Sequence, residues 1–298
     1  MIGKSSWQSP SRILGIGLNL SDPDRFVPSY TPTMSDTAHW IDSHAHLTMF
    51  TRAEAAAALD RAAERGVHGV LVPATNGDDL EIALELAAEH PASVVAAAGI
   101  HPHDATALDA TVKRRIEGAL EAPGIVAVGE IGLDYHYMNS PREDQLAALD
   151  WQLDLAVAAG LPVVLHNRDS WSDLERALTA RSPALRGVAH SFAEGPNEAR
   201  RIVELGLVIG ISGMVTFNKA DNIREMAGSL TPRDVVVETD SPFLAPVPYR
   251  GQRNEPSFVV EVGHRLADLW GVEAPEVAAA STAVFRDLFS PAGDWPRG

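Results

Sequence analysis

The sequence contains no cysteine, which excludes disulfides and thiolate metal sites and fits the cytosol, the compartment expected here. No apolar run approaches membrane-spanning length, so no membrane partner is expected. Positive charge is scarce. Lys and Arg number 24 against 40 Asp and Glu, a formal net charge of −16. Sequence-independent affinity for a polyanion comes from many Lys and Arg contacts to phosphate, so the charge argues against a broad nucleic-acid grip. A nucleic-acid substrate stays open where bound metal and a few arginines neutralise one or two phosphates. Most of the acidic surface simply keeps the chain soluble. Beyond residue 38 there is no repeat or low-complexity tract.

What is present is a 298-residue chain, 45% hydrophobic, enough for a sizeable core and the usual size of a single α/β barrel. Residues 1–38 stand apart. They are rich in Ser, Pro and Thr and lack periodicity outside Ile13–Leu20, where Gly, Asn and the following Asp22-Pro23-Asp24 fit a secretory signal poorly. The expectation is a disordered extension, with Met34 as the natural start and residues 39–298 as one domain.

From Trp40 onward, short β-branched runs alternate with amphipathic stretches. The strand candidates are Ile41–His44, Gly69–Val72, Val94–Gly99, Ile125–Glu130, Val163–His166, Gly187–His190, Leu207–Ile211 and Val235–Glu238. Helical spacing falls between them, as in Arg52–Arg65, Asp78–Glu89, Arg142–Ala159, Glu198–Leu205 and Asp221–Ala227. Two further helices, Ser257–Trp270 and Ala274–Leu288, end the chain. Near-continuous apolar strands separated by helices mean a parallel sheet covered on both faces. Eight such units predict an α/β fold of the (β/α)₈ TIM-barrel type, with functional groups at the strand C-termini.

Polar residues do collect there. Strand one ends in Asp42-Ser43-His44-Ala45-His46, and side chains at i and i+2 on a strand aim at one point. Strand three ends in His101-Pro102-His103, strand four in Gly129-Glu130-Ile131-Gly132-Leu133-Asp134-Tyr135, and strand five in His166-Asn167-Arg168. Strand six ends in His190-Ser191-Phe192, and strand eight in Glu238-Thr239-Asp240-Ser241-Pro242. One strand-end histidine is ordinarily a capped polar residue. Six of eleven histidines gathered at predicted strand ends require too many independent accidents. His68, His90, His136 and His264 read as helix-surface residues, and His39 too has no functional role.

His44, His46, Glu130, His166, His190 and Asp240 supply four imidazoles and two carboxylates, enough for two divalent ions sharing one carboxylate. Glu130, on the middle strand, is the natural bridge. Asp240 suits both metal ligation and removal of a proton from water. Such a mixed site accepts Mg²⁺, Mn²⁺ or Zn²⁺.

The segments Ile41–Leu47, Gly99-Ile100-His101-Pro102-His103, Gly129–Tyr135, Pro162–Arg168, Glu238–Pro242 and Leu244–Pro256 resemble, in order, those of the TatD family of metal-dependent deoxyribonucleases. The resemblance runs from about Trp40 to Leu288. It implies a barrel of the amidohydrolase-like superfamily acting on DNA phosphodiesters, and it assigns the same six residues as metal ligands. It also implies His101 as a catalytic, phosphate-side contact, with His103 beside it. Two departures stand out. Thr48 replaces the family's usual Asp or Asn, and the acid after His-x-Arg arrives one place late, at Asp173.

Arg168, Lys219, Arg250 and Arg253 are candidates to hold phosphate, though exposed basic residues usually do nothing specific. Trp171 and Phe217 are candidates to stack a base, and Asp134 to orient a neighbour. The expected function is metal-dependent hydrolysis of DNA, exonucleolytic on single-stranded ends and leaning by resemblance toward the 3′ end, by a monomer. The alternatives are an amide or ester hydrolase, such as an aminoacyl-tRNA deacylase, and a metal-binding protein serving a partner interaction.

Overall fold

A computed structural model describes residues 39–289 and Trp295; the expectations for residues 1–38 therefore lie outside the described residues. Eight strands form one parallel sheet in sequence order: β1 (Trp40–Asp42), β2 (Val67–Pro73), β3 (Val94–Ala98), β4 (Ile125–Asp134), β5 (Val163–Arg168), β6 (Gly187–Ala189), β7 (Val208–Ile211) and β8 (Val235–Val237). Helices α1 (Arg52–Glu64), α2 (Gly77–Glu89), α3 (Ala110–Ala119), α4 (Arg142–Ala159), α5 (Trp171–Thr179), α6 (Pro196–Glu204) and α7 (Asp221–Gly228) alternate with the strands. Helices α8 (Val259–Trp270) and α9 (Ala274–Phe289) follow β8. This is the (β/α)₈ barrel expected.

The first three helices start where side chains can take up free backbone N–H groups. Thr51 and Glu54 form a reciprocal cap on α1, and Asn76 and Asp109 cap α2 and α3. Inside the barrel, Ile41, Leu71, Val95, Ala97, Ala127, Val164, Val188 and Val236 pack together with Phe285, Leu288 and Phe289 of α9. The Leu288 carbonyl accepts a hydrogen bond from Arg186, immediately before β6. Helix α9 therefore plugs the N-terminal end of the barrel, which leaves the C-terminal end as the open mouth.

The first and last strands are joined beyond their regular ends. Ser43 N–H donates to Val237 O (3.0 Å), Asp240 N–H to His44 O (2.9 Å) and His46 N–H to Ser241 O (2.7 Å). The Asp42 carboxylate accepts from both the backbone (2.8 Å) and the hydroxyl (2.5 Å) of Thr239. Three candidate ligands, His44, His46 and Asp240, thus sit on the seam that closes the barrel.

Three differences from the sequence expectation matter. β4 runs four residues past Glu130, pairing Gly132 with His166 and Asp134 with Arg168. Gly132, within this extension, stands at φ 144°, where a Cβ would meet His166 O at 2.0 Å. Only glycine lets the two backbones pair there. His68 is a strand residue of β2, its ring 4.5 Å from that of His39, and not a helix-surface residue. His136 likewise is not on a helix but in the exposed turn after β4, whereas His90 ends α2 and His264 is exposed on α8 as expected.

Candidate metal centre

The strand register slips between Val128 and Ile131, so β4 carries extra length against β5 at Glu130. A bulge of this kind re-aims a side chain. Here the Glu130 carboxylate is almost wholly buried among five imidazoles. Oε1 lies 3.1 Å from His166 Nδ1, 3.5 Å from His101 Nε2 and 4.0 Å from His190 Nε2. Oε2 lies 3.3 Å from His44 Nε2 and 3.7 Å from His46 Nε2. Asp240 Oδ1 approaches His46 Nε2 (3.3 Å) and His190 Nε2 (3.7 Å). Asp240 holds a left-handed backbone (φ 57°), a conformation the short polar Asp tolerates better than most residues and one that collects at functional sites.

Burial alone raises the Glu130 carboxyl, but His101 and His44 outweigh it and hold the group well below its ordinary range. Asp240 is lowered likewise: burial opposes, His190 and His46 prevail. Burial, then the adjacent His190, lowers His44, and burial carries His101 down to about 4. Burial also works against protonated His190, yet Glu238 and Asp240 lift it to about 10. His46 and His166 are raised against burial by hydrogen bonding to Asp240 and Asp134 respectively. The cluster thus holds ionised carboxylates and calls for compensating positive charge, from protons or from metal.

The residues fit divalent metal. Three overlapping trios, His44–Glu130–His190, His44–His46–Asp240 and His101–Glu130–His166, each offer ligand atoms within 4.8 Å of one another. Glu130 Oε2 is buried without a hydrogen-bond partner, although two ring nitrogens face it. A buried, unpaired carboxylate oxygen of this kind is costly unless a cation meets it.

All six candidate ligands from the sequence come together, and His101 joins them at Glu130 instead of standing apart. His103 is one layer further out, its Nε2 3.0 Å from Asp134 Oδ2. Asp134 also meets His166 Nε2 at 3.2 Å, so it does touch a neighbouring ligand candidate. Arg168 is exposed, its guanidinium 4.6 Å from the centre of the Tyr137 ring. Arg253 is committed elsewhere, paired with Glu54 (3.0 Å), bonded to Met49 O (2.9 Å) and stacked on Phe50. Arg250 bonds Ala245 O and covers Phe217, and Lys219 is exposed. Trp171 packs edge-on against buried Phe192. Thr48 is buried, and Asp173 accepts hydrogen bonds from Tyr135 and Arg142.

Glu238 is the residue that sequence reasoning passed over. Fully buried, it places Oε1 2.9 Å from His190 Nδ1 and accepts a hydrogen bond from Ser191 N–H (2.5 Å). Its other oxygen accepts from Ser43 Oγ (3.3 Å). Carboxylates behind ligating histidines orient the ring and raise its basicity. The signal was available as a charged residue two places before Asp240, at the end of a Val-Val-Val strand.

Residues 41–290 match the model of the family described as TatD related DNase. A metal-dependent hydrolase of Bacillus subtilis is 32% identical over 250 residues, covering 83% of this chain and 98% of that protein. A protein of Erwinia tasmaniensis named as a 3′-5′ ssDNA/RNA exonuclease is 34% identical over 238 residues, covering 78% and 92%. The solved structure of a TatD homolog from Escherichia coli K12 superposes with a TM-score of 0.81 at 32% identity, covering 86% of this chain and 99% of that one. On sequence and architecture together, the chain belongs to the TatD related DNase family and is a metal-dependent hydrolase.

Proposed function

We propose that the protein is a divalent-metal-dependent nuclease that removes nucleotides from the ends of single-stranded DNA. One observation carries the reading: a buried carboxylate, Glu130, ringed by five imidazoles at the open mouth of the barrel, with Asp240 beside it. His44, His46, Glu130, His166, His190 and Asp240 would hold two ions. Bound there, the ions would acidify a water molecule and stabilise charge on the attacking and leaving oxygens of a phosphodiester.

The protein's own groups divide the remaining work by their exposure. Side-chain exposure rises from 0% at His44 to 7% at His46, 10% at His101, 19% at His166 and 29% at His103. The ring at the exposed end, His103, faces an arriving phosphate, while His101, close to Glu130, stands where it can reach either an ion or a phosphate oxygen. Asp240, at 14% against 2% for Glu130, is the carboxylate that incoming water reaches and is placed to accept its proton. Arg168 at the rim supplies a guanidinium for a neighbouring phosphate.

A mouth of this kind admits a chain end or a flexible strand more readily than a base-paired segment, which must first be unpaired. A relative bears an exonuclease name, which supports the same reading. The decisive experiment compares a linear single strand with its covalently closed circle, alongside a charged tRNA and a panel of small esters. Rapid loss of the linear form alone is expected. Equal rates on both forms would overturn end dependence, and faster turnover of the tRNA or the esters would overturn the nuclease reading.

A further inference from the structure

Of the six large apolar side chains that are exposed among the described residues, five lie in loops at the barrel mouth. Met49 follows β1, Tyr137 and Met138 follow β4, and Phe243 and Val247 follow β8; only Val157 lies elsewhere, on α4. Exposed apolar surface concentrated around a concave site marks a ligand surface. Phe243 and Tyr137 are its two aromatics, half exposed at 50% and 56%.

Both are held on rigid backbone. Phe243 N–H donates to Asp240 O (2.9 Å), and Phe243 O accepts from the buried Asn254 side chain, which also bonds Thr239 O. Tyr137 N–H donates to Asp134 Oδ1 (2.9 Å). Each ring stands edge-on beside a histidine of the centre, Phe243 6.1 Å from His46 and Tyr137 5.6 Å from His103. In an eight-stranded barrel, the loops after β4 and β8 face each other across the mouth. The two platforms therefore flank the metal centre from opposite sides, Phe243 beside His46 and Tyr137 beside His103. Arg168 lies over one face of the Tyr137 ring (4.6 Å), so a base stacks on the other face with the cation behind the ring.

Resting on the nuclease reading above, we infer that Phe243 and Tyr137 are stacking platforms for unpaired bases on either side of the cleaved phosphodiester. Every base offers a flat face, so such platforms accept any sequence, and that face is free only in a single strand. Specificity for single strands then comes from the rim, and hydrolysis from the histidines and carboxylates below. The neighbouring cation matters too, because phosphates flank every base.

The test uses the metal-loaded full chain with an end-labelled oligothymidylate and an oligonucleotide of equal length carrying abasic sugars near its ends. Phe243→Leu and Tyr137→Leu keep apolar bulk but lose the flat face; Phe243→Trp restores it; Val157→Ala serves as a remote control. Expected is a rise in KM of about tenfold per aromatic removed, little change in kcat, and recovery with Phe243→Trp. The abasic oligonucleotide should show the same KM rise in the wild type and none in the double leucine variant. Unchanged KM in both leucine variants, or equal KM for the two oligonucleotides in the wild type, overturns the stacking inference alone. No cleavage or binding of either oligonucleotide by the wild type overturns the nuclease reading, and the platforms with it.

Discussion

Replacing Glu238 with Gln separates the charge behind His190 from its shape. The amide oxygen can still accept from Ser191 N–H and stay 2.9 Å from His190 Nδ1, while the amide nitrogen faces Ser43 Oγ, 3.3 Å away. The shape survives and the long Ser43 contact reverses direction; the negative charge is lost. Removing a carboxylate partner of a ligating histidine typically weakens metal affinity 10–100-fold, or about 1.4–2.7 kcal/mol. Gly210→Ala tests the same link by displacement, since its Cβ would come 2.5 Å from Glu238 Oε2 and force the carboxylate away. That overpacking should cost about 1–3 kcal/mol of fold stability, roughly 2–12 °C in Tm for a domain of this size. Calorimetric titration of Mn²⁺ into chelator-stripped protein reads the affinity, and a metal-free thermal melt reads the fold. Glu238→Gln should bind Mn²⁺ at least tenfold more weakly with its metal-free Tm within a few degrees of wild type. Wild-type affinity in Glu238→Gln would refute the role given to this carboxylate, and a collapsed melt would show that Glu238 serves the fold instead.

Asp240→Asn should lower kcat by about a hundredfold or more, the scale of removing a general base, and near-normal turnover would refute its role. Excess chelator followed by dialysis should abolish hydrolysis, and Mg²⁺ or Mn²⁺ should restore it; full activity without metal would be incompatible with the centre described. Asp173, hydrogen-bonded by Tyr135 and Arg142 and paired with Arg176, has its carboxyl held below the usual range, chiefly by the Tyr135 hydrogen bond. A lowered folded-state pKa stabilises above the unfolded value near 3.9, and the stabilisation is lost as pH falls below it. Asp173→Asn should therefore melt lower at pH 7 and show a shallower loss of Tm from pH 5 to pH 3, whereas parallel acid limbs would refute the linkage.

The barrel was legible because its strands are covered on both faces and read as plain apolar runs. The ligand candidates were legible because His44 and His46 share a face by spacing, and because polar residues after buried strands have few other uses. Glu238 was not, since its role depends on β6 and β8 bringing His190 beside it across 48 residues of chain. Residue type cannot report exposure, so nothing in the sequence ranks Tyr137 and Phe243, half exposed in the fold, above the more buried Trp171 and Phe217. The extension of β4 through Gly132 was not legible either. A glycine inside a strand can mark close backbone pairing as readily as a break, and only the partner strand decides which.

The closing seam between β1 and β8 has a kinetic meaning. Asp42 and Thr239 are 197 residues apart, so their pairing carries one of the largest loop-closure costs in the chain and belongs among its later folding steps. A ribosome-bound chain that has extruded seven strands has His44 and His46 but neither Asp240 nor the backbone that orients them. Metal capture by the full ligand set is thus withheld until the last strand arrives. Hydrolysis would then begin only when the fold is complete.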